Sequence, residues 1–295
     1  MLGVTCLSQG EFVEALAHVE EALRIDDSGW DRDAKFRIGH DSSVAATMYL
    51  AHTKWQFGEV GRARQLIDEA VVRTVESAHV PSQGNTYVFK ALFERVRGSA
   101  HCVAHDAEIL VQIGQEHGLA LIRAVGALYS GWAHAQLGNF EIGAVDVEQA
   151  LAAYTDQGNK LWVPFFQGLL AEIEAQDDAV GALTRIEDAL LLTQKTGEHW
   201  SDALLHRIRG EILLKRDPAN TAPAETAFLT AIAIATQQNA RSLALRAALS
   251  LAELYQSTSR AADACAVLVP ALLGFSATPQ LPEIEQAQTL LTALS

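Results

Sequence analysis

Small residues recur at fixed positions within repeated amphipathic segments of the sequence. Two columns of small residues, nearly all alanine, run along the chain at a period of about 40 residues. The columns lie seven positions apart, a spacing that places both on one face of an α-helix, two turns apart. The earlier column contains Ala15, Ala63, Ala100, Gly143, Ala182, Ala224 and Ala264, and the later column contains Ala22, Ala70, Ala107, Ala150, Ala189, Ala231 and Ala271.

The two columns indicate that each segment packs closely against a second helix. Two helices approach closely only where the side chains at their crossing are small. Larger apolar residues between the columns, such as Val19, Ile67 and Val147, would fill the space beside the crossing. About twelve residues before the earlier column lies another mostly small position. Its members are Ala51, Val88, Gly131, Gly210 and Ala252, and Ala171 joins them if the turn that follows it is shortened.

Turn residues separate the segments where the periodicity breaks. Gly10, Gly58 and Gly138 each interrupt a helical pattern, and two prolines, Pro218 and Pro223, bound a longer turn. No alternating β-branched stretch or Asn-Gly hairpin signal occurs. The sequence therefore predicts about fourteen helices and no sheet, in an all-α, tetratricopeptide-like, right-handed superhelical solenoid of antiparallel helix pairs.

The same pattern divides the chain into four parts. Residues 1–25 are expected to form a truncated first helix pair, and residues 26–41 a polar linker or an ordered excursion. Residues 42–275 are expected to hold five to six helix pairs, and residues 276–295 a capping helix that starts near Pro282. Because only nine residues precede the helix expected from Gly10, the chain is expected to begin inside a repeat array of a larger protein.

Charge and cysteine usage narrow the classes of partner. A formal net charge of −14 without a run of Lys and Arg argues against a nucleic-acid partner. No apolar run approaches the ~20 residues that a membrane span needs, and no signal peptide is evident. The three cysteines, Cys6, Cys102 and Cys265, lie far apart, so neither a disulfide framework nor a zinc site is indicated. We expect a cytoplasmic protein that does not contact a membrane.

Three stretches carry a resemblance to a known group of proteins. They are 8–15 with 31–41, then Thr196-Gly197-Glu198-His199-Trp200 with 209–214, and 237–248. They resemble the C-terminal tetratricopeptide-like region of bacterial multidomain ATPases of the adenylate or guanylate cyclase-like and transcriptional-regulator types. The resemblance implies a regulatory or protein-interaction role, with catalysis in domains absent from this chain.

Motifs for catalysis, cofactors and metals are missing from the sequence. It contains no GxxxxGK phosphate loop and no GxSxG nucleophile motif. His101 and His105 have the spacing of two metal ligands, but the stretch HCVAH lacks the glutamate of HExxH and an evident third ligand. We therefore predict no catalytic residue, no cofactor and no metal.

The first helix of each pair is expected to line the concave groove of the solenoid. Its inward positions are aromatic in the first half of the chain and charged in the second, with Arg246 expected near Glu211. Such a surface suits a protein or peptide partner. Alternatively, the aromatic side chains pack between repeats and the Glu–Arg pairs only join neighbouring helices. The predicted groove residues are Tyr49, His52, Phe89, Tyr129, Trp132, Glu172, Arg207, Glu211, Arg246 and Glu253.

The resulting hypothesis is a non-catalytic interaction or regulatory module of a multidomain signalling protein. A small-molecule sensor, or an enzyme, is the alternative, and it requires an enclosed pocket that holds Tyr49, His52, Tyr129 and Trp132. A third possibility is an oligomerisation arm, in which the truncated N-terminal pair completes itself against a second copy as a homodimer.

Overall fold

The computed structural model of the protein describes residues 2–26, 41–275 and 281–294. These residues form fifteen helices and no strand. The helices are α1 (Leu2–Ser8), α2 (Phe12–Asp26), α3 (Ser42–Gln56), α4 (Val60–Ser77), α5 (Val80–Val96), α6 (Ala100–Glu116), α7 (Ala120–Gln136), α8 (Phe140–Asp156), α9 (Val163–Glu174), α10 (Ala179–Thr196), α11 (Asp202–Arg216), α12 (Ala222–Gln237), α13 (Arg241–Ser257), α14 (Ala261–Leu272) and α15 (Pro282–Leu294).

The helices form successive pairs whose first members line the inside of the array. Each odd-numbered helix packs against the even-numbered helix that follows it. From α3 onward each odd-numbered helix also packs against the next odd-numbered one, whereas the described even-numbered helices make no comparable contact with each other. The odd-numbered helices from α3 begin at Ser42, Val80, Ala120, Val163, Asp202, Arg241 and Pro282, which confirms the period of about 40 residues.

The small columns mark the close helix crossings, as predicted. A Cβ atom built on Gly143 of α8 would lie 2.6 Å from the carbonyl oxygen of Gly131 on α7. One built on Gly131 would lie 2.7 Å from Cγ2 of Val147. Six of the seven residues of the earlier column are buried, as are five of the seven in the later column; Ala22 is exposed and Ala271 is half-buried.

The column position assigned to Ala100 is wrong. In most second helices the earlier column residue is the fourth helical residue, but α6 begins at Ala100 itself, so the helix is shifted by one turn. Val103 and Leu110 occupy the equivalent inward positions and are fully buried, whereas Ala100 is only half-buried. The shortened turn after Ala171 is wrong as well, because four residues, 175–178, separate α9 from α10.

The N-terminal pair consists of a short first helix, α1, of seven residues and the longer α2. Helix α1 packs against α2 and α3, and Leu7 is buried there. The predicted homodimer through this pair stays a prediction. Residues 27–40, which make up most of the predicted linker, and residues 276–280 lie outside the described residues. The expected final helix runs Pro282–Leu294 and packs on α13 and α14.

The superhelix is wound so tightly that its successive turns touch. Helix α13 packs against α3, where the Ser242 hydroxyl donates a hydrogen bond of 2.6 Å to the Trp55 carbonyl oxygen. The backbone N–H groups of His199 and Trp200 donate to the carbonyl oxygen of Ser8 at 2.8 and 3.1 Å. The inner faces of helices distant in sequence therefore meet across a narrow interior, which is where the candidate site lies.

A glycine substitution at a helix crossing tests this packing. Gly143→Ala places a methyl group against the backbone of α7, so we expect the free energy of unfolding to fall by about 1–3 kcal/mol. The control is Gly61→Ala in α4, where nothing lies within 4 Å of the new methyl group. That change should raise the free energy of unfolding by up to about 1 kcal/mol through helix propensity. Urea denaturation measures both, and equal effects would contradict the close crossing.

Candidate binding cleft

Aromatic side chains from four parts of the chain fill one side of the interior. The ring of His52 on α3 lies 5.3 Å from that of Trp200, and the ring of Phe89 on α5 lies 5.5 Å from that of Trp162. Phe165 on α9 contacts Trp200 at 5.1 Å. All five side chains are buried. This aromatic cluster (His52, Phe89, Trp162, Phe165 and Trp200) is part of the hydrophobic core, so these residues do not present an open aromatic groove.

A buried carboxylate positions two members of the aromatic cluster. Glu198 accepts hydrogen bonds from the Trp162 backbone N–H and from Trp200 Nε1, each at 2.9 Å. Trp162 has a left-handed backbone (φ 66°) immediately before α9, a conformation that costs energy for a bulky residue. Burial raises the pKa of Glu198 above its ordinary value, and the two donors oppose that rise. The carboxylate thus stabilises the strained start of α9.

A polar cleft of about 250 Å³ opens beside the aromatic cluster. It lies between inward-facing residues of α5, α7, α9, α11, α13 and α15. The charged and aromatic residues that line the polar cleft are Arg95, Trp132, Glu172, Arg207, Glu211, Arg246, Glu253 and Glu283.

The deep side of the polar cleft is built around Arg95 and Glu172. Their side chains form an ion pair of 2.6 Å between helices 77 residues apart in sequence. Trp132 Nε1 donates to the same carboxylate at 3.3 Å, and the Arg95 guanidinium lies 5.2 Å from the centre of the Trp132 ring. The arginine is therefore held by a carboxylate on one side and an aromatic face on the other.

Two further ion pairs continue the network towards the end of the chain. Arg207 pairs with Glu211 one turn later on α11, and its other nitrogen lies 4.0 Å from Glu172. Arg246 of α13 pairs with Glu283 of α15. We expected Arg246 beside Glu211, whereas the hydroxyl of Ser250 on α13 donates to Glu211 at 3.3 Å. The difference arises because α15 supplies a carboxylate that the groove prediction did not include.

The mutual fields of these groups shift their pKa values in opposite directions. Burial alone would raise the pKa of Glu172, but Arg95 and Arg207 outweigh it and hold the value below the ordinary range. Burial opposes the charge of Arg207, but Glu211 and Glu172 raise its pKa. Burial lowers the pKa of Arg246, and the nearby Arg207 adds to the effect. Of these two arginines, Arg246 is therefore the one whose buried charge is less well compensated by nearby carboxylates.

Several buried polar atoms in the polar cleft have no hydrogen-bond partner within the described part of the chain. They are the Nε atoms of Arg95, Arg207 and Arg246 and the Oε2 atom of Glu283. Each arginine uses its terminal nitrogens in an ion pair and leaves an N–H unused. Unpaired buried donors are costly, so the polar cleft offers hydrogen bonds to an incoming acceptor.

A second cleft of about 520 Å³ continues from the polar cleft. The two share Glu211, Ser250 and Glu253, and the second cleft extends between α11, α12 and α13 to Phe228 and Thr258. Glu253 is exposed at the junction. The groove walls nevertheless remove part of the water around its carboxyl, and this desolvation raises the pKa of Glu253, with the neighbouring Glu211 adding to the rise. The combined groove therefore has an arginine-rich inner end and an acidic middle.

The predicted site residues separate into three environments. Glu172, Arg207, Glu211, Arg246 and Glu253 come together in the polar cleft, with Trp132. His52 and Phe89 lie in the aromatic cluster, against which half-buried Tyr49 packs with its ring 4.9 Å from that of Phe89. Tyr129 is fully buried against Phe166.

The enclosed pocket expected of a sensor or enzyme is not formed by Tyr49, His52, Tyr129 and Trp132. The cavity beside His52 is apolar and holds about 20 Å³, the space of a single water molecule. Burial lowers the pKa of His52 to about 4, so its ring is neutral near pH 7. Its Nδ1 atom and Trp55 Nε1 are buried without a hydrogen-bond partner among the described residues.

The other candidate chemistry is sparse. His101 and His105 are exposed on α6, and no group of three metal-ligating side chains occurs within residues 2–26, 41–275 and 281–294. Cys6, Cys102 and Cys265 form no disulfide. None of the helices in those ranges is both long and apolar enough to cross a bilayer.

Comparison with known proteins identifies the architecture. A Rap protein complexed with competence and sporulation factor superposes with a TM-score of 0.65 at 14% identity, covering 99% of this chain and 78% of that one. The chain folds as a tetratricopeptide-like solenoid. The apo form of RapI gives a TM-score of 0.56 at 10% identity, covering 99% and 96%. Yeast Tom70 gives 0.46 at 16% identity, covering 96% and 58%. No protein-family model and no curated protein sequence matches, so the likeness concerns the fold.

Three important residues of the interior were missed by the sequence analysis. Arg95 lies seven residues after Val88, on the same face of α5, so helical spacing alone could have placed it in the groove. Trp200 lies in a stretch singled out for its resemblance, but no periodic signal marks a loop residue. Glu283 lies on the final helix, whose register against α13 cannot be read from the repeat.

Substitution of Glu198 tests its role at the start of α9. Glu198→Ala leaves two buried N–H donors without an acceptor, so we expect the free energy of unfolding to fall by about 2–6 kcal/mol. Glu198→Gln keeps one acceptor oxygen and should lose less than half as much. Chemical denaturation followed by tryptophan fluorescence measures both, and equal losses would contradict the hydrogen-bonding role.

The same pair of variants carries a pH signature. Because the folded pKa of Glu198 lies above its ordinary value of 4.5, the folded state favours the protonated carboxyl. The stability from this group is complete below 4.5 and declines as the pH rises through the folded pKa. The deficit of Glu198→Gln relative to the natural protein should therefore shrink as the pH rises, and a growing deficit would show that the pKa shift has the opposite sign.

Proposed function

We propose that the chain is a non-catalytic regulatory module that captures an extended segment of a protein or peptide partner in the polar cleft and its continuation. The observation that carries the proposal is the groove itself. It combines buried arginine donors without partners, an acidic middle and an apolar outer wall. These features supply directional contacts at one end and adaptable contacts at the other, as extended peptides require.

The dimensions of the groove agree with this class of ligand. The two adjoining clefts hold about 250 and 520 Å³, within or near the range of ligand sites in proteins. The aromatic cluster already fills the rest of the interior, so a partner enters beside it rather than along the whole inner face. A short segment is therefore favoured over a complete helix.

The solenoid fold itself supports a binding role. One of the structures with this fold is a Rap protein in complex with competence and sporulation factor. Repeat solenoids of this kind present long concave surfaces without needing catalytic groups. We further propose that the module belongs to a multidomain signalling protein, a proposal supported by the resemblance of the stretches around Glu198 and Gln238 to cyclase-like and transcriptional-regulator ATPases. The unpaired cysteines favour the cytoplasm.

A small-molecule sensor is the second candidate. The polar cleft is large enough for a metabolite that carries both an anionic group and a ring, which Arg207 and Trp132 could hold. Thermal-shift screening against nucleotides and acidic metabolites separates this candidate from the first. A ligand at 100 times its dissociation constant stabilises the folded state by about 2.7 kcal/mol. A shift with a metabolite and none with peptides would favour the sensor.

Charge reversal in the acidic middle of the groove tests the peptide proposal. Peptides are first selected against the natural protein from a random library. Their affinity for the double variant Glu211→Lys/Glu253→Lys should be about tenfold or more weaker, because the acidic wall becomes positively charged and repels the cationic side chains that it attracted. Fluorescence anisotropy measures the affinity, and circular dichroism checks that the variant keeps its helices.

The matched control is Glu76→Lys/Glu108→Lys, which makes the same charge change at exposed positions of α4 and α6, outside the groove. The control should retain the affinity of the natural protein. Failure to select any peptide, or equal affinity in both double variants, would contradict the proposed groove.

A further inference from the structure

The final helix supplies the carboxylate that pairs with one of the three arginines of the polar cleft. Three arginines, Arg95, Arg207 and Arg246, face three carboxylates that are buried or half-buried. Glu172 and Glu211 serve Arg95 and Arg207 from the odd-numbered helices α9 and α11. Arg246 has Glu283 of α15 as its ion-pair partner. If the Glu283 side chain turned away, the inner end of the groove would keep an arginine without a carboxylate.

The Arg246–Glu283 pair leaves hydrogen-bonding capacity unused on both sides. The contact joins one terminal nitrogen of Arg246 to Oε1 of Glu283. Arg246 Nε and Glu283 Oε2 are both buried, and neither has a partner among the described residues. A free carboxylate can approach a guanidinium side-on and use two parallel N–H donors, one of them Nε. A carboxylate that is not tied to a helix can therefore satisfy Arg246 more fully than Glu283 does.

Glu283 also differs from the other carboxylates in its position. It lies in the first turn of α15, immediately after Pro282, whereas Glu172 lies in the last turn of α9 and Glu211 lies well inside α11. Helix α15 is anchored by its own apolar face, through Ile284, Ala287 and Leu290. A change of side-chain rotamer can therefore withdraw the Glu283 carboxylate without undocking the helix.

We propose that Arg246, with Arg207 beside it, forms a carboxylate-binding subsite that Glu283 fills in the unliganded protein and that a carboxylate of the ligand takes over on binding. The inference rests on the proposed function and adds the chemistry of the ligand to it. The carboxylate comes either from the C-terminus of a peptide or from an acidic side chain. In both cases the rest of the ligand runs towards Glu211 and Glu253, where a cationic side chain is favoured.

This arrangement makes Glu283 an internal competitor of the ligand. The fraction of molecules in which Arg246 is free sets the apparent affinity, so the competitor weakens binding without contacting the ligand. It also prevents the buried arginine from remaining without a counter-charge while the groove is empty.

Chemical rescue of Glu283→Ala tests the subsite directly. The substitution leaves Arg246 without its carboxylate, so Tm should fall by several degrees relative to the natural protein, while Glu285→Ala at an exposed position of the same helix should leave it nearly unchanged. Sodium acetate should then raise the Tm of Glu283→Ala by about 2 °C or more over sodium chloride at the same ionic strength. The natural protein and Glu285→Ala should show no such difference between the two salts.

Three probes distinguish the source of the carboxylate. N-acetylglycine presents a main-chain carboxylate, N-acetylaspartic acid α-amide presents a side-chain carboxylate, and N-acetylglycinamide is neutral. The neutral probe should not raise the Tm of Glu283→Ala. A larger rise with the first probe identifies a C-terminus, and a larger rise with the second identifies an acidic side chain. Adding Arg246→Met to Glu283→Ala should abolish the rescue, because the cation is gone.

A second variant keeps the proposal falsifiable if Glu283→Ala does not fold. Glu283→Gln preserves the shape of the side chain and removes its charge, and it should bind N-acetylglycine or the aspartate probe at least tenfold more tightly than the natural protein by calorimetry. A loss of stability that no carboxylate restores, or equal affinities, overturns the subsite. If the rescue fails but selected peptides still depend on Glu211 and Glu253, the groove stands and the carboxylate subsite falls. If the rescue succeeds and no peptide binds, the carboxylate subsite stands and the peptide groove falls.

Discussion

The loop between α10 and α11 is the contact on which the rest of the structure depends. Within residues 197–200, Glu198 receives hydrogen bonds from Trp162 and Trp200, and the backbone of His199 and Trp200 binds the carbonyl of Ser8. One short loop thus joins the start of α9, the N-terminal pair and, through the ring of Trp200, His52 of α3. These contacts draw the superhelix into a closed coil, and the closure brings α5 close enough to α9 for Arg95 to meet Glu172.

Closure divides the interior into a dry part and a polar part. Aromatic rings occupy the side nearest the loop, where burial keeps His52 neutral. Arginines and carboxylates occupy the other side. Arg95 and Arg246 each pair with a carboxylate of another odd-numbered helix, and Arg207 pairs with Glu211 one turn later on its own helix. Buried ion pairs of this kind contribute little net stability, but they define which residues face one another. The cleft is therefore a by-product of the same packing that closes the coil.

The sequence predicted the local architecture well because helix crossings depend on residues at a fixed spacing. Gly131 and Gly143 are small because α7 and α8 cross closely at these positions, a constraint that lies within a single helix pair. The same reasoning could not place Trp200 or Glu283, since their neighbours are set by how many pairs complete one turn of the superhelix. A slight change of angle at each crossing would separate His52 from Trp200. The charged half of the groove was predictable because each of its residues lies on the inward face of its own helix. Whether the aromatic half is open or filled by its own side chains depends instead on the curvature of the superhelix.

The hydrogen bond from Ser242 to the carbonyl of Trp55 spans 187 residues of sequence. An open solenoid contains nearest-neighbour contacts only, so it can fray from its ends and regrow from any repeat. Here the second helix pair cannot leave without breaking contacts made near the C-terminus. Such long-range contacts slow folding, because a long loop must be closed before they form, and they tie the ends of the array into one cooperative unit.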